Sequence, residues 1–402
     1  MLLIDQGLSS ASNFAIAAAA GQRLDADGFG RFAIVLLAIS TVVNLGRAVW
    51  HEPDLVDANH STRRTLPPPN PLALGSLTLV AVAAARTLDT TRWGSSTLII
   101  AGLALIVAVA NDRARYRAIA AGASTVLLAA EGLWLAVVLL GLSGTLALDT
   151  PAALLQLWLL GAAFGTCILI APRDRLRNDS PTAPLTSRPA SGVAAQPVAR
   201  RLALLADFAL FAGMTQLGGL LVAMFLPFDE IATLRGAIVI FGPVGVATGA
   251  LATWIFASLA TEQIGEPDAV RRIARASAMV AGLGIATVAV AAVLPAGVGL
   301  AVLGSAWPPR SVLVLIGIAV ACQALSTPAM MLLRARDERR PLLTLRAGAF
   351  AVFLASTIGF SILAGTASAA AVGYLLTNAG FAAAVWWWLL AHLSPPPAQR
   401  KR

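Results

Sequence analysis

From Ser9 to Leu393, apolar residues come in runs of bilayer-spanning length, broken by short stretches that carry Arg, Pro, Asp and Gly. A helix needs about 18 or more mostly apolar residues to cross the hydrocarbon. The runs predict helices over 8–22, 31–50, 70–86, 94–110, 118–142 and 153–171, then over 202–226, 234–260, 274–294, 311–333, 342–364 and 369–393. The fold class that follows is all-α: a polytopic membrane protein of 12 transmembrane helices in two six-helix lobes. An N-lobe over 1–172 is followed by a linker over 173–201, a C-lobe over 202–394 and a basic tail over 395–402. The linker is rich in Pro, Ser, Ala and Arg, a composition that cannot bury a core and reads as disordered.

Charge supports this count, because a wrong number of helices would scramble the sides on which alternate loops lie. With the N-terminus inside, most of the 29 Lys+Arg fall on the cytoplasmic side, including Arg63, Arg64, Arg113, Arg115, Arg117, Arg173, Arg271, Arg272, Arg275, Arg334, Arg336 and the terminal Arg400–Arg402. The opposite loops hold Arg23, Arg31, Arg86, Arg92, Arg235 and Arg310, while Arg47 and Arg346 fall within helix ends. Both termini are therefore expected in the cytoplasm. The formal charge of +9 is explained by this asymmetry and does not call for a nucleic-acid partner.

Composition removes other classes. The chain is 58% hydrophobic and only 12% charged, with mean hydropathy +0.79, which excludes an ordinary soluble protein. Cys167 and Cys322 lie inside apolar runs, and His51, His60 and His392 lack ligand spacing, so neither a disulfide framework nor a metal site is expected. The first residues lack a basic region and a small-residue cleavage site, so the first apolar segment is expected to be retained. Phosphate-binding glycine loops and a nucleophile-elbow motif are absent from the sequence. No external loop is large enough for the acidic site and external domain of a polytopic glycosyltransferase or polymerase, so the chain is not read as an enzyme.

Polar residues within the apolar runs are the candidates for function. Glu131 lies near the middle of its helix among Leu127, Leu128 and Leu133. A charge facing lipid at that depth costs roughly 2.5–3.5 kcal/mol or more, so Glu131 is expected to face a cavity and to be available for coupling to H+ or Na+. Asp5, Ser9 and Asn13 recur every four residues and form one stripe of the first helix, expected to face the lobe interior. Asp207 is its counterpart in the second half and a further candidate for ion coupling. Pro243 and Pro328 are expected to kink their helices, Trp386–Trp388 to form an interfacial belt, and Asp25-Ala26-Asp27 to be an exposed turn. Arg31-Phe-Ala-Ile-Val matches Arg235-Gly-Ala-Ile-Val, and Leu3-Ile-Asp5 resembles Leu205-Ala-Asp207, which suggests a parallel repeat of the two halves.

The most specific text is at the start: IDQGLSSASNF from Ile4 to Phe14, then Gly21-Gln-Arg-Leu24, Gly28-Phe-Gly30 and Asn44-Leu-Gly-Arg-Ala-Val-Trp-His-Glu-Pro-Asp54. It resembles the polysaccharide transporters of the multidrug, oligosaccharidyl-lipid and polysaccharide exporter superfamily, and Gly242-Pro243 and Leu303-Gly-Ser-Ala-Trp307 are similar to weaker landmarks of that family. The chain departs from the pattern in being Ala-rich, nearly without Lys, and in placing Gly21-Gln22 before Arg23.

The resemblance implies a V-shaped pair of bundles around a central cavity, in the cytoplasmic (inner) membrane of a bacterium. It implies a flippase that carries a polyprenyl-pyrophosphate-linked oligosaccharide across the bilayer by alternating access, serving polysaccharide biosynthesis alongside a polysaccharide polymerase and glycosyltransferases. No cofactor is expected beyond H+ or Na+ as coupling ion. An anionic headgroup needs cations along its path, which adds Arg47 and Arg346 to Asn13 and Glu131 as expected cavity residues. The alternatives are an ion-coupled small-solute or drug antiporter, of the same superfamily or of the major facilitator type, and a transport-incompetent relative that acts as an assembly scaffold. The loop His51–Pro69 lacks the charged motif of the major facilitators.

Overall fold

The computed structural model describes residues 2–46, 95–120, 123–143, 147–170, 206–207, 210, 218–261, 266–336 and 338–393, and every regular element among them is helical. In order these are α1 (Leu2–Arg23), α2 (Ala26–Gly46), α3 (Ser95–Ala120), α4 (Ser124–Ser143), α5 (Pro151–Ile170), α6 (Gly218–Ala223), α7 (Phe228–Ile240), α8 (Gly242–Thr261), α9 (Glu266–Val293), α10 (Ala296–Leu303), α11 (Arg310–Ala335), α12 (Arg339–Phe353), α13 (Gly359–Ala364) and α14 (Ala367–Leu393). Among the described residues eight helices are long and apolar enough to cross a membrane, or nine if the bent pair α7 and α8 is one span. The spans expected at 70–86 and over most of 202–226, the linker 173–201 and the tail 395–402 lie outside the described residues.

Helix boundaries differ from the expected spans where charge was used as punctuation. The helix expected to stop at 110 runs on as α3 through Asn111, Asp112, Arg113 and Arg115 to Ala120, and α9 starts at Glu266 and carries Arg271, Arg272 and Arg275. Charge marks where a chain can leave hydrocarbon; it does not break helical hydrogen bonding, and Arg and Glu are good helix formers. Gly and Pro do mark real breaks. Helices α7 and α8 meet at Phe241, before Gly242-Pro243, with a bend of 50°. Pro295 ends the continuation of α9 and starts the short α10. Pro328, by contrast, stays inside the single helix α11, where the Ser326 and Thr327 hydroxyls both donate to the Gln323 carbonyl.

Polar side chains fix several helix starts. Asp25 Oδ1 accepts from the Gly28 N–H at 2.7 Å, so the acidic pair expected to be a loop turn instead caps α2, and Asp27 pairs with Arg31 at 3.6 Å one turn on. Thr150 caps α5 ahead of Pro151, and Thr366 does the same for α14. The first amide of α14, at Ala367, also donates to Glu230 Oε2 of α7 at 2.6 Å.

The chain divides into two compact units, one of Met1–Leu24 with Ile34–Ala212 and the other of Asp25–Ala33 with Gly213–Arg402. In the first, α5 packs against α3 and α4, and α1 against α4, around small side chains such as Ala114, Ala118, Ala123 and Ala130, with Leu127 and Leu169 filling between them. Small residues let backbones approach where lipid supplies no hydrophobic drive. In the second unit α11 is central, packed by α8, α9 and α14. Gly317 of α11 makes room for the Phe241 ring at the α7–α8 bend, since a Cβ there would run into that ring and into Val288. Gly317→Val should therefore lower stability by about 1–3 kcal/mol, the usual cost of overpacking, read as a fall in thermal unfolding temperature in detergent.

One span is locally irregular: between α12 and α13 the chain takes a π-turn at Leu354–Ile358. There Gly373 of α14 lies directly against the Ser356–Thr357 backbone, and the Ser356 hydroxyl bonds the Gly373 carbonyl and the Thr377 hydroxyl, each at 3.1 Å.

Candidate functional site

The charged centre of the first unit is built from three helices. Helix α1 supplies Asp5 in its first turn, α3 supplies Arg115 near its end, and α4 supplies Glu131 at its eighth residue. All three are deeply buried, at 2% exposure for Asp5, 7% for Arg115 and 2% for Glu131. Arg115 Nη2 donates to Asp5 Oδ2, and Arg115 Nε lies 3.7 Å from Glu131 Oε1. The outer oxygen of Asp5, Oδ1, is buried with no hydrogen-bond partner among the described residues.

Chemically this is one fixed cation between two carboxylates. They lie in a medium where uncompensated charge is costly. Asp112, one turn before Arg115, is also buried, and Asn111 donates from Nδ2 to the Ala162 carbonyl at 3.3 Å. Gly165 lets α5 come close beside them: a Cβ there would stand 3.2 Å from the Ala130 carbonyl oxygen and 3.5 Å from Asn111 Nδ2. No group of three or more His, Cys, Asp or Glu among the described residues is arranged to hold a metal ion.

Two of the expected site residues, Asp5 and Glu131, are thus brought together, through a residue that sequence reasoning had placed elsewhere. Arg115 was counted as a cation of a cytoplasmic loop; it is a buried helical residue bridging α1 and α4. The available signal was the spacing of Asn111, Asp112 and Arg115, which share one helix face once α3 is allowed to continue past 110.

Asn13 is two turns further along α1, with an exposed side chain whose Oδ1 accepts from Trp158 Nε1 of α5 at 3.0 Å. Asp207, expected in the second lobe, is fully buried and belongs to the first compact unit. Arg346 is in the second unit, on α12, 4% exposed and with its guanidinium 5.1 Å from the centre of the Phe381 ring. Arg47 lies outside the described residues. Of the arginines expected in the loops opposite the cytoplasm, Arg23 donates to the Leu142 carbonyl at 2.9 Å, and Arg31 stacks over Phe228 at 5.2 Å. Of the tryptophans expected as a belt, Trp386 donates to the Leu325 carbonyl, Trp388 stacks on His392, and Trp387 is 70% exposed.

No protein-family model and no curated protein sequence matches the chain. Solved structures do. The chain is similar to lipid II flippase MurJ in an inward closed conformation, with a TM-score of 0.65 and 8% identity over 96% of this chain and 86% of that one. It is also similar to a MATE protein in complex with MaL6, with a TM-score of 0.60 and 15% identity over 98% and 95% of the two chains. A third is a MOP-superfamily transporter from Pyrococcus furiosus, with a TM-score of 0.58 and 15% identity over 97% and 93%. The chain has the fold of the MOP-superfamily transporters. That fold is a multi-pass membrane bundle, and these neighbours are transporters and flippases.

Proposed function

We propose that this protein is a flippase that moves a polyprenyl-pyrophosphate-linked oligosaccharide across the bacterial cytoplasmic membrane by alternating access, in polysaccharide biosynthesis. The observation that carries the reading is the likeness of fold, over 96% of this chain and 86% of the other, to lipid II flippase MurJ. The resemblance of the segment Ile4–Phe14 to the polysaccharide transporters supports the same substrate class. In this reading Asn13, Glu131, Arg47 and Arg346 serve the passage of the headgroup, a polymerase and glycosyltransferases act before and after it, and both termini face the cytoplasm. Asp5 and Glu131 carry the coupling ion. The coupling ion is H+ or Na+, either of which adds one positive charge beside the two carboxylates. Asp207 is the corresponding acid of the second half.

A second reading, an ion-coupled drug antiporter, draws support from the similar fold of the MATE protein. A deletion strain separates the two. The flippase reading expects polyprenyl-linked oligosaccharide to accumulate on the cytoplasmic leaflet, measured by accessibility of the glycan to an impermeant label in inverted and right-side-out vesicles. Normal glycan export together with new sensitivity to cationic drugs would replace it with the antiporter.

A further inference from the structure

We propose that Trp158 is a positioning residue that holds the Asn13 amide in one orientation, so that Asn13 presents a preset N–H donor to an oxygen of the translocated glycan lipid. The inference rests on the flippase reading and adds to it a specificity-determining contact.

The orientation of the amide is decided by its two neighbours. An indole N–H can only donate, so the atom facing Trp158 Nε1 at 3.0 Å is Asn13 Oδ1. A backbone carbonyl can only accept, so the atom facing the Ser9 carbonyl at 3.1 Å is Nδ2. Neither contact tolerates a flipped amide. One Nδ2 hydrogen is thereby spent along the helix, and the other points away from both partners on a side chain that is exposed.

Asn13 is the twelfth residue of the 22-residue α1, midway between its ends. An amide N–H uncommitted among the described residues is unfavourable against acyl chains, so the face onto which it opens holds water or a substrate with acceptor oxygens. Sugar hydroxyls, acetamido carbonyls and phosphate oxygens all qualify.

The support behind Asn13 is rigid. Trp158 is 5% exposed and meets Trp134 edge to face, with ring centres 5.3 Å apart at 75°. Gly161, one turn beyond Trp158, is where a Cβ would strike the Trp134 indole, so the pair is seated against bare backbone. Trp158 itself is too buried to serve as a stacking platform for a sugar; its polar edge is spent on Asn13. A donor whose rotamer and flip are both set before the ligand arrives loses little freedom on binding.

The test uses the full-length protein in proteoliposomes with a polyprenyl-pyrophosphate-linked oligosaccharide as probe. Trp158→Phe keeps the ring and removes the N–H, and Asn13→Ala removes the donor. Each should raise the apparent KM for the glycan lipid by about three- to tenfold, the range of one ordinary hydrogen bond, with Vmax within about twofold. In the Asn13→Ala background, Trp158→Phe should add nothing further, because its effect passes through that amide. Thermal unfolding of each variant close to wild type excludes a folding cause. The positioning role is overturned if Trp158→Phe leaves KM unchanged, if it lowers Vmax alone, or if its effect is undiminished when Asn13 is already alanine. If wild-type protein moves no glycan lipid at all, the flippase reading itself fails, and this donor role falls with it.

Discussion

Arg115→Ala should be the most damaging single substitution in the first unit, lowering stability by about 3–5 kcal/mol, the usual cost of removing one partner from a buried ion pair. The side chains of Arg115 and Asp5 are 9% and 3% exposed, so water cannot take over the role of the guanidinium. Without it, Asp5 and Glu131 from α1 and α4 face each other as like charges inside a bundle of Ala and Leu side chains. Arg115→Lys should recover part of the loss, because an ammonium keeps the charge but cannot fork towards two carboxylates at once. The triple variant Arg115→Met, Asp5→Asn, Glu131→Gln should recover more, since it removes the buried charges together. The measurement is thermal or denaturant unfolding in detergent. An Arg115→Ala protein as stable as wild type would show that the cluster is wetter or looser than its geometry describes.

Glu131→Gln should leave the protein folded and impair what we propose it does. The substitution removes the charge of one of the two carboxylates that face Arg115 and leaves the contact of Arg115 with Asp5 in place. A charge-assisted interaction contributes about 1.5–3 kcal/mol, so its loss at the step that depends on it should slow gradient-driven flipping by about tenfold to a hundredfold. Flipping measured without a gradient should fall much less. The assay compares wild type and Glu131→Gln in proteoliposomes with and without an imposed proton gradient. Equal acceleration by the gradient in both proteins would remove Glu131 from the coupling role. Dependence on a sodium gradient instead would keep the site and change the ion.

The spans around Glu131, Pro151–Ile170 and Ala367–Leu393 were legible in the sequence because bilayer hydrocarbon demands long apolar helices, and such runs are visible without any partner. The bend at Gly242-Pro243 was legible for a similarly local reason: a proline lacks the amide that a helix needs. The ends of α3 and α9 were not legible. Asn111, Asp112 and Arg115 look like loop residues to a hydropathy reading, yet a helix continues through them because their backbone bonds form regardless of side-chain charge. Pro328 shows that residue type alone does not set a break: it sits inside the continuous helix α11, where Ser326 and Thr327 turn back to the Gln323 carbonyl.

What the chain determined by itself is where its helices run and which side chains need an explanation once inside them. Glu131 and Asn13 stand out because hydrocarbon penalises a carboxylate or an amide wherever it occurs, whatever surrounds it. The tertiary structure decided how each need is met. Arg115 reaches Asp5 across 110 residues of sequence, and Trp158 reaches Asn13 across 145. Those pairings depend on which helix faces which, and on the glycines and alanines that let them close together. The cost of burying a polar group is local, whereas the partner that relieves it is chosen by packing.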